Sequence, residues 1–530
     1  MKQLKPVLFW GLFVLGIATV ITLAVGLLPV AQARCSNCPT ASALASPPPA
    51  VGQLGGPYAG LTSNQTILFN QGYGDFNLKW DPFRGVGPVL TKAGCFSCHG
   101  GGTNALTGIA GDTTNQTGTR YGKFNPDGTF NYLDGTGTYP ENEGGPTLHN
   151  QSVSQFGTLL GCSRMGVADA VESGTTVTIT TSVPHNFESG FNVAVTGVGD
   201  SGYNGTFLIT SIPSSTSFSY SVSKTGLPQS GGGTADPMPN ERVPRDATIV
   251  SQLRSPQLFG LGLVDNIPDF AIEANAIAQC TGSTCIPAGL VNLVPDENGV
   301  VRPGRFGQKS SVVSLFQFTA RAFWNELGIT NSLNPLKHLP QGLPYSPRCQ
   351  DDPNSPNDVG DADFIKAVQF TELLAPVSPQ PPSPQTSAGH ATFESIGCSL
   401  CHVESFTTQP NVTLPDSSGG RTPAIGVLSN VTFNPYSDFL LHDLGATDSG
   451  GIPFEPGNQG QANLTQWRTA PLWGLSDRLS KAGGLMHDNG SLDINSAILR
   501  HGNDAAQVIS NYQALSSTDQ ADLLAFLGSL

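Results

Sequence analysis

The sequence predicts a mainly α fold: two small helical domains with long loops, plus a small inserted all-β domain. Three observations predict it. The pattern C-x-x-C-H occurs at 95–99 and again at 398–402. Apolar residues recur at helical spacing over 311–327, and Gly328 follows as a helix stop. Between 168 and 235 the apolar residues alternate as in strands, and Asn204-Gly205 is a hairpin signal.

The spacing C-x-x-C-H is the attachment motif of a c-type haem. Two thiols at that spacing can form thioethers with the two vinyl groups, and the histidine that follows can bind the iron. Chance would give roughly 0.003 copies in a chain of this composition. Paired zinc knuckles are the alternative, but one tetrahedral zinc site needs four protein ligands. We therefore expect two covalently bound c-type haems in two cytochrome c-like domains. The predicted thioether residues are Cys95, Cys98, Cys398 and Cys401, and the predicted axial ligands are His99 and His402.

The N-terminus has the features of an export signal. Lys2 and Lys5 precede an apolar run over 7–30, and Ala31-Gln32-Ala33 follows it. As a helix the run would extend ~36 Å, enough to cross a bilayer. Residues 1–34 are therefore predicted to be a cleaved signal peptide or an uncleaved inner-membrane anchor. Both alternatives place the rest of the chain in the periplasm or elsewhere outside the cytoplasm, either soluble or anchored.

The formal net charge of −14 argues against binding to nucleic acid, since no basic stripe is present to displace phosphate counterions. An acidic surface could steer a basic redox protein toward this one. It could equally serve only to keep an exported protein soluble.

Composition divides the rest of the chain. Alanine, serine, proline and glycine dominate one predicted linker, and prolines mark another. The predicted linkers are 35–57 and 376–386, the N-terminal haem domain covers 58–167 and 236–375, the inserted β domain covers 168–235, and the C-terminal cytochrome c domain covers 387–530.

Six cysteines remain outside the haem motifs. Cys280 and Cys285 flank a short loop and are expected to form a disulfide in an oxidising compartment. Cys162 and Cys349 could pair across the fold, although sequence alone does not fix the connectivity. The stretch 35–38 has two cysteines without the histidine and is not predicted to hold a third haem.

The second axial ligand of each haem decides between electron relay and reaction with a small oxidant. Only four methionines are present, so methionine ligation has few candidates. His185 lies in the β segment and is expected to be a strand-edge residue. The other histidines outside the motifs are His149, His338, His390, His442, His487 and His501.

Five further stretches carry a family resemblance: 254–263, 304–307, 440–445, 467–475 and 486–490. On these residues the chain resembles the di-haem oxidoreductase family, whose members are also labelled thiol oxidoreductases. That family lies within the wider superfamily of bacterial di-haem cytochrome c peroxidases. The resemblance covers most of 58–530, and the β insert departs from the usual family pattern.

The resemblance implies a bis-histidine C-terminal haem, because the family takes the distal ligand shortly after a turn that matches His487 and its neighbours. Here that position is His501. The alternative is that His501 only caps the C-terminus of a helix over 493–500. Arg468 resembles a propionate-binding arginine, with a surface ion pair as the alternative. A calcium ion between domains is implied by resemblance only.

The first haem has no histidine between 100 and 148. Its distal face is expected to be open, or to be reached by His149. Peroxide cleavage also needs an acid or base near the iron. His442 and His487 are the catalytic candidates, and structural hydrogen bonding is the alternative role for both. The tryptophans that could bridge the two haems are Trp80, Trp324, Trp467 and Trp473.

These inferences predict a peroxidase-like oxidoreductase. A small redox protein or other donor would supply electrons through the C-terminal haem, and a small oxidant such as hydrogen peroxide would react at the N-terminal haem. Two alternatives remain: an electron-transfer cytochrome without catalysis, and an oxygenase-type or maturation enzyme. The label "thiol" has no residue-level support, because no cysteine with an activating neighbour is visible.

Overall fold

The structure is a computed structural model of the chain. The predicted signal peptide or anchor lies outside the residues that it describes, as does 35–38. Within the described ranges, no helix has both the length and the apolar character to cross a bilayer. The described residues are 48–99, 117–124, 130–131, 147–156, 162–238, 240–243, 247–277, 279–281, 284–338, 345–349, 361–445, 460–480 and 484–530.

The α-helices of the described residues are short. They are α1 Ser63–Phe76, α2 Phe96–His99, α3 Leu261–Asp265, α4 Asp269–Glu273, α5 Leu315–Leu327, α6 Asp361–Glu372, α7 Pro384–Ile396, α8 Leu475–Ser480, α9 Ile494–Leu499, α10 Ala506–Ala514 and α11 Ser517–Leu527.

Most strands belong to two-stranded ribbons or to one barrel. They are β1 Val89–Leu90, β2 Thr117–Phe124, β3 Phe130–Asn131, β4 Gln151–Ser152, β5 Met165–Ser173, β6 Thr176–Thr181, β7 Asn192–Thr196, β8 Gly205–Ser214, β9 Ser217–Ser221, β10 Thr234–Asp236, β11 Ile249–Arg254, β12 Gln279–Thr281, β13 Thr284–Ile286, β14 Leu293–Pro295, β15 Val301–Pro303, β16 Phe406–Thr407, β17 Thr432–Phe433, β18 Leu441–Asp443 and β19 Gln466–Arg468.

The prediction of a mainly α fold with two cytochrome domains is wrong. Helices account for 30% of the chain and strands for 21%, and six strands close into a barrel. The 63 glycines and 41 prolines explain the difference, because both residues interrupt helices and favour turns. The described residues outside the barrel include several short antiparallel ribbons, among them β14–β15, β16–β17 and β18–β19.

The barrel spans Met165 to Asp236, with its strands in the order β10-β5-β6-β9-β8-β7. Alternate residues fill its interior: Val177, Ile179, Phe218 and Tyr220 are all fully buried. Because side chains alternate between the two faces of a strand, the sequence alternation becomes one inward face.

Asn204-Gly205 does not form the two-residue hairpin turn that the dipeptide predicts. A longer loop with a 3₁₀ turn at Ser201–Tyr203 joins β7 to β8, and Gly205 is already the first residue of β8. The Asn204 side chain instead bridges the loop, accepting from Val198 N at 3.0 Å and donating to Val198 O at 3.0 Å. The side-chain hydrogen bonds of asparagine therefore decide the turn here.

Polar pairs hold the two chain segments that enter and leave the barrel. Arg164 donates from Nε to Asp236 at 2.9 Å. Gln155 donates a hydrogen bond to Asn240, and these two residues lie just outside the barrel in sequence, one on each side. Arg348, beyond the barrel in sequence, donates to Glu188 in a barrel loop at 2.9 Å. The barrel is therefore fixed to the rest of the molecule at its neck and at one loop.

One disulfide is formed in the described residues, between Cys162 and Cys349, with their Cα atoms 4.8 Å apart. It ties the entrance of the barrel to a segment 187 residues away in sequence. Cys280 and Cys285 face each other in the register of β12 and β13, and their side chains lie outside the described part.

Helices α1, α5 and α6 surround the first haem motif. Phe370 of α6 packs against Phe69 and Phe76 of α1, with ring centroids 5.1 and 5.0 Å apart. His99 lies beside Phe76, at 6.1 Å between ring centroids. This aromatic layer forms one wall of the first site.

Helices α7 and α11 pack closely beside the second motif. The closest approach is at Gly389, where a Cβ atom would lie 2.0 Å from the Asp522 carbonyl oxygen. Only glycine fits there, so this residue sets the distance between the two helices. The α7–α11 pair also buries Phe393, Leu523 and Phe526.

Candidate haem sites

Helix α7 delivers the second motif to a cavity. It begins with a capping box at Ser383 and ends at Gly397, whose φ of +100° lies in the left-handed region that glycine adopts without strain. Cys398–Leu400 then form a 3₁₀ turn, and the backbone of His402 donates to Cys398 O at 3.0 Å. The turn brings both cysteines and the histidine of the motif into the lining of one cavity.

His402 and His501 both line this cavity and are oriented in the same way. The Nδ1 of His402 lies 2.9 Å from the Tyr436 carbonyl, and that of His501 lies 2.9 Å from the Ala497 carbonyl. A histidine that donates from Nδ1 presents Nε2 to a metal. The structure therefore brings His501, the predicted distal ligand, to the same cavity as His402.

Both rings are neutral, which coordination to iron requires. Burial lowers the pKa of His402 to about 4, with a smaller contribution from the nearby His501. Burial also lowers the pKa of His501. His501 lies just past α9, as the capping alternative supposes, and its ring also faces the cavity.

The cavity has a volume of about 240 Å³ and a mostly apolar lining. Phe393, Leu472, Leu475, Ile494 and Val508 supply much of this lining. A flat, apolar macrocycle with polar groups at one edge matches this chemistry.

Four arginines line the same cavity, and only Arg468 was predicted as a site residue. Arg305 forms an ion pair with Asp269, and the other three are Arg254, Arg468 and Arg478. Burial lowers the pKa of Arg468 and of Arg254 to about 10. Burial together with the charge of Arg254 lowers the pKa of Arg478 to about 9. The Arg478 Nε makes no hydrogen bond within the described residues.

Two neighbouring buried cations call for an anion, and the propionates of a haem would supply it. Arg254 opens the first resemblance stretch, so its place in that stretch was the signal available in the sequence. Arg478 lies outside all five stretches and had no such signal. Arg468 also donates from Nε to Gly307 O at 2.8 Å.

His442, a predicted catalytic residue, is buried beside the second motif. Its Nε2 lies 2.8 Å from Asp438 Oδ2, and its Nδ1 lies 3.9 Å from Asp504 Oδ2. Burial lowers the pKa of His442, but Asp438 and Cys401 raise it more, to about 10. A thioether at Cys401 would remove the contribution of that cysteine to the raised pKa of His442. The pair with Asp438 would remain.

His487, the other predicted catalytic residue, stacks on Trp467 with ring centroids 3.3 Å apart. Both residues line the second cavity. The Lys309 ammonium lies 4.1 Å from the Trp467 ring centre and donates to Asn463 O, Leu464 O and Gln466 O. The structure therefore places His442 and His487 at the second motif, and catalysis by either stays a prediction.

The first motif follows β1, and α2 carries its histidine. Burial raises the pKa of Cys95 and Cys98 to about 12, as it does for Cys398. These thiols are neutral, whereas zinc ligands and redox nucleophiles are thiolates. Burial lowers the pKa of His99 to about 4, so this ring too is neutral.

His149, the suggested distal ligand of the first haem, is engaged elsewhere. Its Nδ1 lies 2.7 Å from Glu241 Oε2, and its Nε2 lies 2.8 Å from Asn325 O. Its ring also contacts His338 at 4.6 Å between centroids. Binding to iron would require His149 to give up one of these two hydrogen bonds.

The four tryptophans occupy different surroundings. Trp80 packs edge-on against Phe323, Trp324 stacks on His338, and Trp473 packs between Phe259 and Phe433. Of the four, Trp467 alone lines the second cavity.

A family model described as "Di-haem oxidoreductase, putative peroxidase" matches residues 240–530, more than half of the chain. The chain belongs to this family. It is an oxidoreductase whose family binds two haems. The match begins after the barrel and includes the second motif, both axial candidates and all four cavity arginines.

The other comparisons add little. No curated protein matches the chain. A structure of hydrazine synthase from Kuenenia stuttgartiensis, pressurised with 20 bar xenon, is 13% identical and covers 48% of this chain and 76% of that chain, with a TM-score of 0.23. A likeness at that score carries no argument about fold or function.

The residues of the second cavity fit the haem of a di-haem oxidoreductase. Two histidines that donate from Nδ1, two neighbouring arginines whose pKa values are lowered by burial, and an apolar lining meet there. The cluster of Cys401, Asp438 and His442 could also be considered as a metal site. A thioether at Cys401 would remove its thiolate, which leaves that cluster too few ligands for zinc.

Proposed function

We propose that the protein is an exported di-haem c-type cytochrome with peroxidase-like activity. Each haem is held covalently, by Cys95 and Cys98 at the first site and by Cys398 and Cys401 at the second. The bound haems supply the one-electron chemistry, with electrons from a small donor entering at the second site and hydrogen peroxide reduced at the first.

The convergence of His402 and His501 on one cavity carries this proposal. Both rings are neutral and buried, and both donate from Nδ1 to a backbone carbonyl. His402 and His501 would both hold the iron of a bound haem, and two protein ligands would suit electron relay rather than reaction with peroxide. Arg254, Arg468 and Arg478 would hold the propionates of that haem.

The first site is assigned the reaction with peroxide because His149, its suggested distal ligand, is held by Glu241 and Asn325. Glu326 lies near enough to Cys98 to act on its pKa, after burial as the larger cause. Asp75 acts on the pKa of Cys95 in the same way, again after burial as the larger cause. Glu326 and Asp75 are therefore the acid–base candidates proposed at the first site.

Export rests on the N-terminal pattern over 1–34 and on the chemistry of haem attachment. The donor is proposed to be a small basic redox protein, because the net charge of −14 would steer it. The calcium ion rests on resemblance alone. The two clusters of potential ligands in the described residues both contain histidine, whereas calcium prefers oxygen ligands.

The test is His501→Ala in the full-length, haem-loaded protein, examined by electron paramagnetic resonance and optical spectroscopy. We expect the low-spin bis-histidine signal of the second haem to be replaced by a high-spin one. His390→Ala is the matched control, since His390 is a partly exposed histidine of α7 that does not line the cavity.

An unchanged low-spin signal in His501→Ala would refute the ligand assignment. Turnover of hydrogen peroxide with a reduced cytochrome donor tests the activity itself. If both irons are six-coordinate with protein ligands in every redox state, the protein is an electron-transfer cytochrome instead.

A further inference from the structure

One short segment, 254–256, lies between the two haem sites. Arg254 is the last residue of β11, and Ser255 and Pro256 lead from there toward α3. All three residues line the cavity of the second motif. Ser255 and Pro256 also meet the first motif. The segment therefore contributes side chains or backbone to both sites.

At the second site the segment is clamped by backbone hydrogen bonds. Arg254 N donates to His487 O at 2.7 Å, and the Arg254 guanidinium donates to Gly484 O. Gln308 Nε2 donates to Arg254 O at 3.1 Å. Arg254 is 5% exposed, so its charge faces the cavity rather than solvent.

At the first site the next two residues meet the haem motif. The Ser255 side chain is hydrogen-bonded to Cys98. The Pro256 carbonyl lies close enough to the His99 ring to oppose the effect of burial on its pKa. The buried Nδ1 of this ring makes no hydrogen bond of ideal geometry among the described residues, and we infer that the Pro256 carbonyl becomes its acceptor when the haem is bound. In the second site a backbone carbonyl, that of Tyr436, serves His402 in this way. Proline restricts its own φ, which helps to keep this carbonyl in place.

We propose that 254–256 is a shared support of the two haem sites, in which Pro256 positions His99, Ser255 positions Cys98, and Arg254 anchors the second cavity. The proposal rests on the covalent haems of the proposed function. All three are positioning residues. Because the segment is short and clamped at Arg254, a change at one of its ends displaces the other.

Loss of the Pro256 carbonyl from His99 should weaken this histidine as a ligand of the first haem. An imidazole that donates from Nδ1 becomes a stronger ligand. Pro256→Gly frees the carbonyl to turn away from His99. We therefore expect a lower iron–histidine stretching frequency and a higher midpoint potential at the first haem. Pro256→Ala keeps the backbone more restricted than glycine does and is expected to restore most of both values.

The matched pair that tests the shared support is Arg254→Gln and Arg478→Gln. Both remove one buried charge from the same cavity, but only Arg254 belongs to the segment. The full-length haem-loaded proteins are examined by resonance Raman spectroscopy and redox titration. We expect Arg254→Gln to shift the signals of both haems and Arg478→Gln to shift those of the second haem only.

The proposal is overturned if Arg254→Gln leaves the first haem unchanged, or if Arg478→Gln moves it equally. It is also overturned if neither Pro256→Gly nor Ser255→Ala alters the first haem. If Pro256→Gly fails to fold, Ser255→Ala and the comparison of Arg254→Gln with Arg478→Gln still test whether the segment supports both haem sites. Absence of covalent haem in the wild type would instead refute the proposed function, and absence of peroxide turnover leaves these spectroscopic readouts intact.

Discussion

Buried histidines of this protein differ in charge because their ring nitrogens meet different partners. Burial favours the neutral ring in each of them. The carbonyls of Tyr436 and Ala497 do not overcome burial at His402 and His501. At His149, the Glu241 carboxylate and the Asn325 carbonyl do overcome it, and the pKa of this ring is raised. His402 and His501, the iron-ligand candidates, are therefore neutral, whereas His149 and His442 are held in ion pairs with Glu241 and Asp438.

The raised pKa of His149 predicts a pH dependence of stability. A raised folded-state pKa gives stability that is full below the unfolded value of about 6.5 and is lost as pH rises through the folded value. We therefore expect His149→Gln to lower the free energy of unfolding most at acidic pH, with the difference from wild type shrinking at higher pH. Denaturant unfolding across this range measures it.

His185→Gln is the control for this prediction. Burial lowers the pKa of His185, so the folded state favours the neutral ring. The stability that this ring contributes is therefore present above pH 6.5 and is lost as the pH falls below that value. Equal pH slopes for the two variants would contradict the assignment of a charged His149.

Lys309 gives a second prediction at this scale. Its side chain is fully buried and donates to three backbone carbonyls of the 463–466 loop. Lys309→Met would leave these carbonyls without their donor, and we expect a loss of about 3 kcal/mol in the free energy of unfolding. Lys224→Met, on the exposed surface of the barrel, should change it by less than ~0.5 kcal/mol. Equal stability of the two variants would contradict this role.

At the scale of elements, helix α7 is set against α11 by Gly389. Since α7 ends directly before Cys398, the position of this helix decides where the second motif enters the cavity. A short helix is positioned by such packing rather than by its own helix propensity. The glycine therefore affects the site without touching it.

Gly389→Ala tests this connection. Its Cβ would lie 2.0 Å from the Asp522 carbonyl, so the helices must separate. We expect a loss of roughly 2 kcal/mol in stability and a changed spectrum of the second haem. Gly74→Ala is the control, because Gly74 lies in α1 with open space around its Cβ position, and alanine there should be neutral or stabilise by up to ~1 kcal/mol. An unchanged second-haem spectrum in Gly389→Ala would contradict the argument.

At the scale of the whole molecule, the barrel is held by the Arg164–Asp236 pair, the Glu188–Arg348 pair and one disulfide. The disulfide joins residues far apart in sequence, so it restricts the unfolded chain strongly. The barrel interior has its own buried cluster, separate from the clusters at the haem motifs.

We expect replacement of both Cys162 and Cys349 by serine to lower the free energy of unfolding by about 2–5 kcal/mol. Both haem spectra should persist, because neither cysteine belongs to a haem motif. Thermal unfolding of the oxidised wild type, the double variant and the single variant Cys162→Ser measures the loss, and the two variants should be equally destabilised. A double variant as stable as the wild type would show that the disulfide does not constrain the unfolded chain.

Local patterns predicted what depends on neighbours in sequence. The two haem motifs need only short spacing, and the strands of the barrel need only alternation. The helix around Phe323 followed from helical spacing over 311–327. The mainly α fold did not follow, because the number of residues in ribbons and loops depends on long-range pairing that periodicity does not show.

The sequence by itself predicted the attachment residues of both haems and, through a family resemblance, the candidate ligand His501. Only the tertiary structure decided that His501 faces the cavity of His402, that His149 is held by Glu241 and Asn325, and that Arg254 and Arg478 lie together. The reason is physical: the partners of a buried polar group come from distant parts of the chain, and a short motif specifies only the atoms that it carries.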